Sequence, residues 1–170
     1  MLTPKEEKIL SELINKIEFP IGIDIFYAWA QNFYQNAVEF IILREGVDEK
    51  EIFLIWRDDK YYKCFHIPGT IIRPKETQKI ALKRLVKDEI NNAKLSTPKY
   101  LKFIEFMKGD KEGELARGQV CSFIYVANTK DDLKIIDGKF FPISKIPDNT
   151  LSAHKIIIDY IKKEIDKKNI

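Results

Sequence analysis

The chain of 170 residues has only two cysteines, Cys64 and Cys121, far apart and in no metal-binding spacing. That excludes a disulfide-stapled secreted scaffold and a thiolate metal site, and both thiols are expected to be buried and reduced. No stretch approaches the ~18 consecutive apolar residues of a membrane-spanning helix. The N-terminus, MLTPKEEKILSELINK, mixes acids and bases and lacks the apolar core of a signal peptide. A cytoplasmic protein without a membrane partner is therefore expected. Charge of one sign is also scarce: 29 basic and 26 acidic residues leave a net charge of +3, interspersed along the chain. Without a concentrated basic patch, nucleic acid is not expected as an obligate partner, whereas an anionic small molecule is compatible. Internal repeats, low-complexity tracts and linkers are missing, and one domain with a sizeable core is the default at this length.

The remaining sequence is organised by apolar periodicity. Thr3-Pro4, followed by Glu6 and Glu7, is a helix start, and Ile9, Leu10, Leu13, Ile14 and Ile17 keep helical spacing up to Phe19-Pro20. A second helical stretch, Asp24 to Phe33, spaces Phe26, Tyr27, Trp29 and Phe33 to form a packing face. From Ala37 the pattern changes to AVEFIILR and EIFLIWR, two β-branched runs around GVDEK that read as a hairpin. KCFHIP and TII are short strands, and Glu76 to Ile90 is a helix. YLKFIEFM and QVCSFIYVA are strands on either side of the charged loop GDKEGELARG. A strand near KFFPI, a turn at Pro147-Asp148-Asn149 and a closing helix from Leu151 to about Lys168 complete the order. Such an α+β sequence is best satisfied by a mixed sheet with helices on both faces.

Between Pro68 and Asn91 the chain reads PGTIIRPKETQKIALKRLVKDEIN, a loop opening into a helix that ends on the adjacent carboxylates Asp88 and Glu89. Five residues separate Thr70 from Glu76, seven separate Glu76 from Arg84, and Leu85, Val86 and Lys87 precede the acid pair. On a helix, i, i+3 and i+4 share a face, so Leu85, Asp88 and Glu89 are expected to project together. Glu76 and Arg84 are expected on one side of that helix, two turns apart. Adjacent carboxylates, with a backbone carbonyl from Gly69-Thr70, are hard oxygen ligands of the kind Mg²⁺ or Mn²⁺ accepts, waters and substrate phosphates completing the shell.

This spacing resembles the Nudix box, with Thr70 at the family's second glycine, Leu85 at its acid after the arginine, and Asn91 near its closing glycine. The resemblance covers roughly residues 37 to 162. It implies a Nudix-like α/β/α sandwich with a mixed β-sheet, a central Nudix helix and a C-terminal helix, divided as an N-terminal helical extension, 1–36, and a Nudix-like hydrolase domain, 37–170. The extension is expected to serve as a homodimer contact or as a wall over the substrate cleft.

The resemblance further implies a divalent-metal-dependent hydrolase of a nucleoside diphosphate linked to another moiety. Arginine followed by leucine is similar to the GDP-mannose mannosyl hydrolase branch, which points to a nucleotide sugar. That branch attacks the sugar carbon and takes its base from a histidine before the last strand. Here LKIIDGKFF has no histidine, and Asp137 is the nearest acid. On this reading Asp88 and Glu89, with Gly69 and Thr70, hold the metal; Glu89, Asp88, Arg84 and Asp137 are the catalytic group; Glu76 and Arg84 brace the box, with Arg84 also contacting Asp88 or Glu89. Arg57, Tyr62 and His66 are expected to face the substrate, with Tyr61 and Phe65 as further stacking candidates. Glu105, Asp110, Glu112 and Glu114 are alternative sources of a ligand or base, and His154 is read as structural. Leucine can be neither ligand nor base, so the competing reading is a catalytically degenerate Nudix-like nucleotide-binding or regulatory module.

Overall fold

A strand that is apolar at nearly every position is buried on both faces, and Gln35–Glu45 (β1) is such a strand, with Val38 and Phe40 through Leu43 essentially inaccessible. The computed structural model, which describes residues 2–59, 62–107, 118–167 and 170, places it at the centre of a seven-stranded sheet. The other strands are Lys50–Asp58 (β2), Lys63–His66 (β3), Gly69–Ile71 (β4), Lys99–Phe106 (β5), Val120–Asn128 (β6) and Gly138–Pro142 (β7). The main path runs β3-β2-β1-β6-β5, with β4 paired to β1 and β7 to β2. The sheet is mixed, because β1 and β6 are parallel while the other pairs are antiparallel.

One edge of β1 is paired continuously with β6, from Gln35 to Leu43. Its other edge is shared. Ala37 to Glu39 pair with β4, whereas Leu43 to Glu45 pair with β2 through the expected hairpin, closed by the Gly46 N–H bond to Glu49 O at 3.0 Å. β2 and β4 therefore diverge along the middle of β1, and the gap between them is where a cleft can enter the sheet.

Strand alternation sends β1 side chains to two cores. Ile41 and Leu43 pack with Ile52, Leu54, Ile124 and the closing helix Ser152–Asp166 (α4), which contributes Ile157, Ile158 and Ile161. Val38, Phe40 and Ile42 pack with Phe53, Phe140 and the helix Gln78–Glu89 (α3), which contributes Ala81, Leu82 and Leu85. Helix α3 starts two residues later than its periodicity suggests: Thr77 is its N-cap, accepting from the Ile80 N–H, so Glu76 stands before the helix.

The N-terminal helices are Pro4–Ile14 (α1), held by a Thr3–Glu6 capping box, and Ile23–Asn32 (α2). Nothing on α1 is buried, and the aromatic residues of α2 do not form one packing face: Tyr27 is buried, while Trp29 and Phe33 pair with each other on the surface. Cys64 and Cys121 are buried free thiols. Among the described residues no helix is long and apolar enough to cross a membrane.

Leu85 is 1% exposed and sits within the α3 core. Leu85→Ala should lower stability by about 2–5 kcal/mol, the range for a buried leucine. Leu85→Glu, which would restore an acid to the box, should destabilise at least as much by placing a carboxylate among apolar side chains. Chemical denaturation of both variants measures this, and a near-neutral glutamate variant would show that position 85 reaches solvent.

Candidate functional site

The box is held together by one arginine. Arg84 Nε donates to Glu76 Oε1 and Nη2 to Glu76 Oε2, both at 2.8 Å, giving the two-pronged pairing that suits a guanidinium. Nη1 donates to Thr70 Oγ1 and Nη2 also to Ile71 O, again at 2.8 Å each. The Arg73 N–H donates to Glu76 Oε2 at 2.9 Å. Arg84 thus ties β4, the loop after it and α3 together, and the Thr70 hydroxyl supplies one of the ties. Arg84, with the Arg73 N–H, holds the Glu76 carboxyl down to about 2, and Glu76 in turn raises Arg84. The four hydrogen bonds of Arg84 go to Glu76, Thr70 and Ile71; its interaction with Asp88 and Glu89 is one of charge and not the expected direct contact.

At the other end of α3, Leu85, Asp88 and Glu89 do not project together. Leu85 points into the core, Asp88 is exposed, and Glu89 lies between them at the rim of the cleft. Glu89 Oε2 is buried without a hydrogen-bond partner among the described residues. Burial raises the Glu89 carboxyl to about 7, outweighing the opposing influence of Arg57, a Gly69 N–H bond and Arg84.

A second acid, Glu39 on β1, lies on the same cleft. It is 8% exposed and pairs across the ladder with Gly69, where a Cβ would come within 2.1 Å of Glu39 Oε2 and force this carboxylate to move. His154, at the start of α4, places Nε2 3.7 Å from Glu39 Oε2. Its Nδ1 accepts from the Ile67 N–H at 2.7 Å, which leaves the ring proton on Nε2, facing Glu39. Burial, then the charges of His66 and Arg57, lower the His154 pKa well below its ordinary value, so the ring is neutral. His66 Nδ1 lies 2.7 Å from Ile67 O, which can only accept, so this nitrogen carries a proton.

Two cavities meet here. The first, about 370 Å³, is lined by Glu39, Arg57, Tyr62, His66, Glu89 and His154, together with Gly69, Thr70 and Arg73. Phe19, Pro20, Ile21 and Phe26 of the N-terminal extension form its outer wall. The second, about 480 Å³, is lined by Lys87, Asp88, Lys134 and Asp137. Arg57, His66 and Glu89 line both.

The structure therefore brings Arg57, Tyr62, His66, Gly69, Thr70, Asp88, Glu89 and Asp137 to one continuous cleft. Phe65 is not among them: it packs edge-on against Trp56 and Phe141 on the α4 side of the sheet. Glu105 is exposed on β5, opposite Cys121, and lines neither cavity. Tyr61, Asp110, Glu112 and Glu114 lie outside the described residues. Sequence reasoning missed Glu39, whose signal was a lone acid within the otherwise apolar run AVEFIIL.

Glu89 and Glu76 have opposite signatures in apo-protein stability. A carboxyl raised from its ordinary value near 4.5 to about 7 costs nothing in acid, costs progressively more as pH rises between those two values, and costs a constant amount above. Glu89→Gln should match wild type in thermal unfolding near pH 5 and exceed it at pH 9 by several degrees, about 2 kcal/mol. Glu76, held down to about 2, stabilises above its ordinary range near 4.5 and loses that contribution as pH falls toward 2. Glu76→Gln should cost about 1–3 kcal/mol at pH 7 and progressively less in acid. Thermal scans across pH check both, and parallel curves for variant and wild type would contradict the assignments.

No protein-family model and no curated protein matches the chain by sequence. Solved structures do match it in shape. The Nudix domain of Shewanella oneidensis NrtR, crystallised with ADP ribose, superposes with a TM-score of 0.63 at 13% identity, covering 91% of this chain and 97% of that one. A MutT/nudix family protein from Enterococcus faecalis gives 0.60 at 16% identity over 98% of this chain and 76% of its own. The MutT Nudix hydrolase of Burkholderia pseudomallei gives 0.59 at 15% identity over 75% and 98%. With the strand order, the helix α3 and its arginine latch already in place, these likenesses identify the architecture: the chain has the Nudix fold.

Proposed function

We propose that this protein is a divalent-metal-dependent Nudix-type hydrolase of a nucleoside diphosphate linked to another moiety, with nucleotide sugars as the leading substrate class. The observation that carries the reading is the pair of cavities joined at Arg57, His66 and Glu89. A substrate with two organic parts and a diphosphate between them needs this shape: one lobe for each part, and charged groups at the waist. ADP ribose, the compound crystallised with the NrtR domain, is a nucleoside diphosphate carrying a sugar.

Asp88 and Glu89, with backbone oxygen from Gly69-Thr70, would hold Mg²⁺ or Mn²⁺. The buried Glu89 Oε2 without a protein partner fits such a ligand, and carboxylate oxygens suit a hard cation. Among the described residues no three His, Cys, Asp or Glu side chains are grouped to hold a metal ion, so substrate oxygens and water belong in the shell. When bound, the cation neutralises diphosphate charge and polarises the phosphoryl group. Arg57, at the waist, positions the diphosphate. Arg84 keeps β4 and α3 in register so that Gly69 and Glu89 stay adjacent. Tyr62 lines the first lobe, and Asp137 faces the second beside Asp88. The extension walls the first lobe through Phe19 to Ile21 and Phe26. Its exposed α1 stripe, Ile9, Leu10, Leu13 and Ile14, supports a homodimer contact as well.

A second reading, a nucleotide-binding or regulatory module without turnover, is favoured by Leu85, which leaves the box one acid short and is committed to the core.

The test is a hydrolysis screen of the purified chain with Mg²⁺ and Mn²⁺ against nucleotide sugars, dinucleotides and nucleoside triphosphates, reading free sugar, phosphate and nucleoside monophosphate. Metal-dependent turnover of a nucleotide sugar is expected. Glu89→Gln should lower it at least ~100-fold, because even the outer partners of a metal's ligands typically contribute ~10–100-fold. No turnover across the panel, with nucleotide binding still measurable, would establish the module instead.

A further inference from the structure

We propose that Glu39 is the general base of this site, taking the place of the acid that Leu85 cannot supply and that the loop residue Asp137 was expected to supply. The proposal rests on the hydrolase reading above. It starts from a physical oddity: Glu39 is the single polar residue in the run from Ala37 to Leu43, on the central strand, and is 8% exposed. Burying a carboxylate costs far more than burying the valine or isoleucine that this strand otherwise uses. Charged side chains are almost never buried without a specific partner or use.

The surroundings are arranged around this carboxylate. Gly69, directly across the ladder, has no side chain, and any Cβ there would lie 2.1 Å from Glu39 Oε2 and 2.7 Å from Cδ. The same glycine gives its N–H to Glu89. Glu39 and the proposed metal ligand Glu89 therefore abut one residue, and both line the first cavity with Arg57. His154 Nε2, the protonated ring nitrogen, lies 3.7 Å from Glu39 Oε2, just beyond hydrogen-bond reach, and the ring is held there by the Ile67 N–H on its other nitrogen. β1 is bonded to β6 on one side and to β4 on the other at this point, so the base is carried on rigid backbone, as catalytic placement requires. Asp137, by contrast, is exposed and in the second cavity.

A base next to Glu89 activates water beside the diphosphate, so attack falls at phosphorus. Glu39 takes one proton from water as the water oxygen bonds to phosphorus. The bridging P–O bond breaks, its electron pair leaves with the departing phosphate, and that phosphate recovers the proton from Glu39 or solvent. One water is consumed for each bond cleaved, and the products of a nucleotide sugar are a nucleoside monophosphate and a sugar phosphate.

The experiment uses the full chain with Mn²⁺ or Mg²⁺ and two probes, ADP-ribose and GDP-mannose. Glu39→Gln should lower kcat by ~10²–10⁴-fold, the usual contribution of a positioned base, with KM and ADP affinity within about threefold of wild type and thermal unfolding preserved. Glu39→Ala should recover at least about tenfold in kcat on adding formate, a rescue that a merely structural glutamate would not show. Glu105→Gln, at an exposed β5 residue that lines neither cavity, should stay within about threefold. If the glutamine variant does not fold, Glu39→Asp, which keeps the charge but withdraws it by one methylene, should show the same isolated fall in kcat. An active wild type whose Glu39→Gln variant keeps its kcat, or whose products are free sugar and intact nucleoside diphosphate, overturns this proposal alone. A wild type that binds both probes and hydrolyses neither overturns the hydrolase reading and this proposal with it.

Discussion

The site depends on the fork in β1. A central strand normally gives each edge to one neighbour; β1 gives one edge to β6 and divides the other between β4 and β2. Where those two part, backbone from β4 and side chains from β2 and β3 surround a gap that reaches the middle of the sheet. The strands bordering this gap supply Glu39 from β1, Arg57 from β2, His66 from β3, and Gly69 and Thr70 from β4, while Glu89 comes from α3 and His154 from α4. The loops can vary around it, because the fork is fixed by main-chain hydrogen bonds and by two apolar cores that clamp it from opposite faces.

A short strand such as β4, three residues long, cannot hold its place by ladder bonds alone. Arg84 completes the attachment. Its four hydrogen bonds reach β4 twice and Glu76 twice, so a single side chain near the end of α3 fixes the strand that borders the cleft and the loop that leads into α3. Since these groups are half-buried, the arrangement matters more for geometry than for net stability, as ion pairs out of water recover little beyond their desolvation cost. That is the kind of interaction to place beside a site: it tolerates one arrangement of the backbone and penalises the others.

The order of elements was legible because it follows from periodicity and turn chemistry, and the Glu76–Arg84 pairing because eight residues are close to two helical turns and Glu76 directly precedes the Thr77 cap. Thr77 was not read as the cap, since the residues between Pro74 and Ile80 are all polar and carry no periodicity, and a single hydroxyl decides the boundary. Leu85 misled for a related reason. Helical spacing says which residues share a face, but whether that face turns to the sheet or to the cleft depends on where the helix docks, and an i, i+3, i+4 set spans a wide enough arc for one member to go inward and another outward. Glu39 and His154 are 115 residues apart in sequence. Their meeting depends on α4 returning across the sheet to the fork, which no local pattern encodes.

Charge gives the cleft its logic. Two acids, Glu39 and Glu89, line its first cavity with Arg57, and yet burial of Glu89 outweighs the charges of Arg57 and Arg84 and the Gly69 N–H combined, so its carboxyl reaches about 7. A group so placed answers to added positive charge. Any cation drawn to Glu89 must displace a proton near neutral pH, which makes cation affinity rise with pH through that region and makes cation and proton two competitors for one oxygen. The same reasoning separates the two acids. Glu89, at the rim and close to exposed Asp88, is the acid that on the proposed reading would exchange its proton for a metal. Glu39, deeper, across from glycine and facing a neutral imidazole N–H, is placed to take a proton from water and release it again.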